Sequence, residues 1–250
     1  MDWQAPAIIL ALQPHGEHDA IAMLLSEAEG CQRGLVRGGQ GRRQAGLWQS
    51  GNLVMARWRG RLAEQLGQFS AELIHPSAAL VLDDPLRLGV LAAACALAAG
   101  ALPERMAHPR IFAGLSRLMM GLASPVAATV IVAELVRVEA DLLAELGYGL
   151  DLSSCALTGA GGDLAFVSPR SGRAVSRGAA GPWHGRLLAL PAFLRDPEAE
   201  IDAGAVAEGL RLTGHFLARE VFGAHHRPLP ASRLALERRV LRLAAAKPSQ

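Results

Sequence analysis

Seven arginines lie between positions 33 and 61, and no Asp or Glu occurs from position 30 to position 63. Six of them, Arg37, Arg42, Arg43, Arg57, Arg59 and Arg61, share the stretch "LVRGGQGRRQAGLWQSGNLVMARWRGR" with glycines, Trp48 and Trp58. Guanidinium groups hold phosphate oxygens through forked hydrogen bonds, and indole rings offer faces on which bases stack, although a tryptophan in a small barrel is more often core, so Trp48 and Trp58 stand open between stacking and packing. The chemistry expected here is therefore sequence-independent binding of a nucleic-acid backbone. Arg57, Arg59 and Arg61 alternate along the chain, so on a strand they point to one face.

Other chemistries find less material. His15 and His18, with Glu17 and Asp19 beside them, occupy a short "PHGEHD" turn, and His225 and His226 precede "RPLP". Both pairs read as solvated turns with no partner elsewhere. "GAGGD" at 159–163 lacks the lysine ending of a phosphate loop, and neither a G-x-S-x-G elbow nor an H-E-x-x-H helix is present. A nucleotide-binding enzyme or regulator built on the Gly-rich segment 159–182 is the alternative function. Cys31, Cys95 and Cys155 are odd in number and far apart, which excludes a disulfide framework and suits a reducing cytoplasm.

The elements that must position the arginines follow from composition and periodicity. At 51% apolar residues and 250 residues in length, the chain can bury a sizeable core. Its net charge of +2 requires any polyanion-binding face to be a local concentration. The amino terminus lacks a basic signal-peptide region, and the uncharged run at 118–133 falls short of a membrane span. The segments "APAIILALQ", "IAMLLSEAEG", "CQRGLVRGG", "GNLVMARWRG" and "QFSAELIH" read as five short strands of a small barrel.

From Asp83 onward helical spacing takes over, placing a boundary near residues 76–84. The best-defined helix follows "SPVAATVIVAELVRVEADLLAELG", with Ser124 as N-cap, Pro125 at the first position and Gly147 as its stop. Beyond it, "SPRSG" marks a hairpin within a loop-rich insertion, and "PASRLALERRVLRLAAA" is a terminal helix with an ordinary charged face.

The opening "APAIIL", the turn "PHGEHD" leading to "LLSEAEG", the basic "LVRGGQGRR", the "RVEADLLAELGYG" helix, "DLSSCALTG" and "LPASR" occur in an order that resembles the RecO family of bacterial recombination mediators. The resemblance implies an α+β chain, with an N-terminal OB-fold β-barrel over residues 1–80 and a mostly α-helical domain over 81–250. A degenerate zinc-ribbon-like hairpin insertion would lie at about 151–182. Arg37, Arg42 and Arg43 match the family's basic turn and become the leading DNA contacts, ahead of Arg57, Arg59 and Arg61.

The family's zinc pattern fails here. Cys155 stands where a first ligand would be, Thr158 replaces the second, and no Cys or His occurs between Gly159 and Trp183, so no metal or other cofactor is expected. The resemblance further implies docking of the acidic tail of the single-strand-binding protein SSB. Arg137, two residues before Glu139, would receive the tail carboxylate beside Leu135, Leu142 and Leu143. It also implies a non-enzymatic, cytoplasmic, nucleoid-associated protein that binds single-stranded and double-stranded DNA. That protein would work with RecR and SSB to promote RecA loading, with no membrane contact.

Overall fold

Alternating apolar and polar positions let one face of a strand fill a barrel while the other meets water. In the computed structural model, which describes residues 2–60 and 66–246, five such strands form near the amino terminus. They are β1 (Asp2–His15), β2 (Asp19–Ser26), β3 (Gly30–Val36), β4 (Leu53–Arg59) and β5 (Gly67–His75). The strands close in the order β1-β2-β3-β5-β4, and β4 pairs back onto β1 from Asp2↔Arg59 to Ile8↔Leu53. All pairings are antiparallel except the seam between β3 and β5, which is parallel and limited to Gly34↔Gly67 and Leu35↔Gln68. The interior is filled by Ala7, Ile9, Ala22, Leu24, Val36, Val54, Ala56, Phe69 and two tryptophans, Trp48 and Trp58.

Strands give way to helices after His75. Asp84 starts α1 (Pro85–Ala101) because its Oδ1 accepts from the amides of Leu86 and Arg87 at 2.9 and 3.0 Å, with proline at the first helical position. Between α1 and α2 (Pro109–Gly121) the chain runs along β3: Arg105 N–H donates to the Cys31 carbonyl, and Glu104 forms an ion pair with Arg33 at 2.9 Å. These elements belong to one of two compact units, Met1–Pro125, and the rest of the chain, Val126–Gln250, forms the other.

The second unit opens with α3 (Ala128–Glu145), which starts later than the sequence suggests. Ser124 is not its cap. Its hydroxyl and amide both donate to the Gly121 carbonyl and close the end of α2, while α3 has no side-chain cap. Gly147 does end the helix: at φ +88° it lets the Gly147 amide reach the Ala144 carbonyl and the Tyr148 amide the Leu143 carbonyl. The hairpin at "SPRSG" joins β6 (Leu164–Val167) to β7 (Ala174–Ser176). A single helical turn, α4 (Arg177–Ala180), then leads to the short β8 (Leu188–Ala189), giving a sheet of order β7-β6-β8.

α5 (Ala203–Phe216), capped by Asp202, runs into a π-helical turn at Leu217–Phe222, and α6 (Ala231–Ala246) follows. The terminal helix departs from its expected face, because Arg233 is completely buried rather than solvated. Its Nη2 donates to Glu139 on α3 at 3.0 Å and to the Leu210 carbonyl of α5 at 2.7 Å, and its Nη1 donates to Glu237 at 3.1 Å. Thr213 adds a hydrogen bond to Glu139. One guanidinium thus ties three helices. Burial alone would lower the Arg233 pKa, but the two carboxylates overcome that and raise it.

Candidate nucleic-acid interface

The loop between β3 and β4 carries Arg37, Arg42 and Arg43, and it is anchored at both ends. At its start, Gly38 N–H donates to Asp19 Oδ1 at 2.8 Å, and the Gln40 side-chain amide donates to the Gly16 and Asp19 carbonyls of the β1–β2 turn. At its end, the buried Asn52 donates to the Gly46 and Leu47 carbonyls and accepts from the Ala78 amide. Between these anchors the backbone winds in tight turns, and Trp48 inserts into the barrel while its Nε1–H donates to Gln44 Oε1 at 2.6 Å. Plugging the barrel with Trp48 holds the crest, with Arg42 and Arg43, out in solvent.

On β4, Arg57 and Arg59 point outward while Val54, Ala56 and Trp58 point inward, as period-two geometry requires. Arg57 forms an ion pair with Asp2 at 3.3 Å and lines a shallow depression of about 220 Å³ with Gln4, Met55, Ser70, Ala71 and Glu72. Arg33 is neutralised by Glu104. Arg37, Arg42, Arg43 and Arg59 are exposed and make no ion pair among the described residues. Arg61 lies outside the described residues. The arginines thus divide into a free set on the loop crest and the end of β4, and a set already committed to carboxylates.

For the two tryptophans, left open between stacking and packing, burial corrects the stacking possibility and selects the core. Trp48 and Trp58 are 3% and 1% exposed, so neither ring offers a face on which a base could stack. Trp58 donates from Nε1 to the Arg33 carbonyl at 3.3 Å, and its indole lies against Gly60 and Gly67. A Cβ on Gly67 would stand 2.2 Å from the ring. These glycines clear its seat.

In the second unit, Arg137 is partly open on α3. Its Nη1 pairs with Glu134, its Nη2 donates to the Phe193 carbonyl at 3.1 Å, and its guanidinium lies 5.4 Å from the Phe193 ring centre. Leu135, Leu142 and Leu143 are buried and form core, as apolar residues at helical spacing commonly do, rather than lining an open groove. Glu139 is committed to Arg233 and Thr213. Sequence reading missed Arg233, although the spacing of the buried residues Arg233, Leu236 and Val240 places it on the apolar stripe of α6.

Cys155 is enclosed by the turn it begins: its amide donates to the Ala160 carbonyl, and the Gly159 amide returns to the Cys155 carbonyl. The Ser176 hydroxyl and amide donate to its sulfur at 3.5 and 3.3 Å, which lowers the thiol pKa to about 6. Burial pushes the Cys31 and Cys95 thiols up to about 12. In the Gly-rich segment, the Gly159 and Ala160 amides are spent on the Cys155 carbonyl and Thr158 Oγ1 rather than turned outward to cradle a phosphate. Among the described residues no group of three His, Cys, Asp or Glu could hold a metal ion. No described helix is long and apolar enough to cross a membrane.

A five-stranded barrel with unpaired arginines on an anchored loop has the form expected of a nucleic-acid binder. The family model described as "Recombination protein O N terminal" matches residues 1–77, and "Recombination protein O C terminal" matches residues 82–229. The chain belongs to the RecO family. It is 58% identical over 245 residues to the DNA repair protein RecO of Acidiphilium cryptum (strain JF-5), covering 97% of this chain and 96% of that one. It is 56% identical over 245 residues to the DNA repair protein RecO of Granulibacter bethesdensis, covering 97% of each chain. The DNA repair protein RecO of Rhodospirillum rubrum is 48% identical over 249 residues, with 98% and 99% covered.

Proposed function

We propose that this member of the RecO family is a non-enzymatic recombination mediator in DNA repair. In this reading, residues 1–80 form an OB-fold that binds DNA. The protein anneals complementary single strands and, with RecR and SSB, promotes the replacement of SSB by RecA in the cytoplasm. The observation that carries the reading is the anchored loop whose Arg37, Arg42 and Arg43 have no carboxylate partner among the described residues, supported by Arg59 on β4. The strand order β1-β2-β3-β5-β4 supports the OB assignment.

Annealing needs two polyanions brought together, and free guanidinium groups lower their mutual repulsion without reading sequence. In the same reading Arg137 receives the carboxylate of the SSB tail, exchanging its partly exposed partner Glu134 for it. Fluorescence anisotropy of a labelled oligonucleotide over a salt series, with and without SSB, tests both contacts. Affinity should fall steeply with salt and SSB-covered DNA should still be engaged. Salt-independent binding, or no binding, would overturn the reading.

A further inference from the structure

Trp183 is 57% exposed, whereas Trp48 and Trp58 are buried and Trp3 is half-buried. It projects from the 3-10 helical turns of Gly181–Arg186 that link α4 to β8, with the Arg186 guanidinium 5.3 Å from the ring centre. From residue 164 to residue 195 the chain has five arginines and His184 but no Asp or Glu. Arg173 and Arg177 are paired with Asp151 and Asp163, while Arg170 and Arg186 are exposed and make no ion pair among the described residues. The sheet places these two at one end: Val167 pairs with both Ala174 and Leu188, so the turn carrying Arg170 and the approach carrying Arg186 lie beside each other.

Leaving a tryptophan in water forgoes a large apolar burial, and a cation over one face of its ring leaves the other face for a second flat group. We propose that this 3-10 segment and the neighbouring β6–β7 turn form a second binding site for single-stranded DNA, with an unpaired base stacked on Trp183 and the adjoining phosphates held by Arg186 and Arg170. The proposal rests on the DNA-binding role argued above but uses a different unit of the chain. Neutralised Arg173 and Arg177 brace the hairpin, leaving two free charges and one aromatic face, which matches one nucleotide and its flanking phosphates. A second strand site serves annealing, because one chain then holds two strands.

The test compares Trp183→Ala, Trp183→Phe and the double variant Arg42→Ala/Arg43→Ala in titrations with oligo(dT) and with duplex of equal length. Trp183→Ala should bind oligo(dT) about 5- to 100-fold more weakly, with the salt slope unchanged and duplex binding unaffected. Trp183→Phe should retain part of the affinity, since its smaller ring still stacks. Oligo(dT) should quench the tryptophan emission of the parent, and Trp183→Ala should remove most of that quenching. If Trp183→Ala binds oligo(dT) like the parent while the double arginine variant is weakened, this site falls and the barrel reading stands. Equal losses on oligo(dT) and duplex would also overturn it, because stacking requires unpaired bases. If neither variant changes binding, both readings fall. An unchanged melting temperature for Trp183→Ala verifies that the fold is intact.

Discussion

Trp58 and Trp183 sit in similarly basic, glycine-rich stretches, yet one is sealed in a barrel and the other stands in water. The glycines explain the contrast. Around Trp58, a Cβ on Gly60 or Gly67 would collide with the indole at 2.4 or 2.2 Å, so these residues are small because the ring occupies their space. Around Trp183, a Cβ on Gly178, Gly181 or Gly185 would meet nothing within 4 Å. The same composition serves packing in one place and leaves a surface open in the other. Arginine and tryptophan side by side therefore define a nucleic-acid surface only after the fate of the ring is known.

Substitution should separate the two regions most clearly in stability. Trp58→Ala should cost about 3–5 kcal/mol in urea unfolding, as expected for emptying an aromatic seat in a core. Trp183→Ala should stay within about 0.5 kcal/mol of the parent. Comparable losses would mean that Trp183 is also packed and would remove the contrast.

The buried ion cluster of the second unit should rank close behind. Glu139→Gln leaves the Arg233 guanidinium buried with only Glu237 as a carboxylate partner, so a loss of about 3 kcal/mol or more is expected by denaturant titration. A loss below about 1 kcal/mol would show that Arg233 reaches solvent.

Smaller effects are expected at partly open sites. Arg137→Ala should weaken binding of an SSB-tail peptide by calorimetry while leaving oligonucleotide affinity nearly unchanged; equal peptide affinity would place docking elsewhere. For Cys155, the folded thiol titrates near 6, below its ordinary value of 9.0. A depressed acid stabilises the fold when ionised, so its contribution is complete above about pH 9 and is lost as pH falls through about 6. Relative to Cys155→Ala, the parent should gain stability as pH rises across that window, and parallel melting curves would contradict the assignment.

Much of this architecture can be read from local pattern. Alternation locates the five strands, Gly147 stops α3, and Gly172 at φ +68° closes the hairpin. The exposure of Arg37, Arg42 and Arg43 follows from their glycine-rich context, and the outward alternation of Arg57 and Arg59 from strand geometry. What escapes a linear reading depends on distant partners. Trp58 is buried because β5 brings Gly67 beneath its ring, and Arg233 is buried because Glu139, 94 residues earlier, faces it from another helix. Ser124 satisfies every local rule for an N-cap, yet its hydroxyl is taken by the Gly121 carbonyl behind it. Arg57 shares the outward face of Arg59, but the return of β1 supplies Asp2 and neutralises it.

If the crest of the β3–β4 loop holds phosphates, the Arg42→Ala/Arg43→Ala variant must reveal it in the salt dependence of its oligonucleotide affinity. Each single-strand phosphate neutralised contributes roughly 0.7 to the slope of log affinity against log salt, so losing two contacts should flatten that slope by about 1.4, alike for every sequence. The melting temperature should not change, because both side chains lie on the exposed crest. A double variant with the parent's affinity and slope would contradict that role and reduce "GGQGRRQ" to a solvated turn.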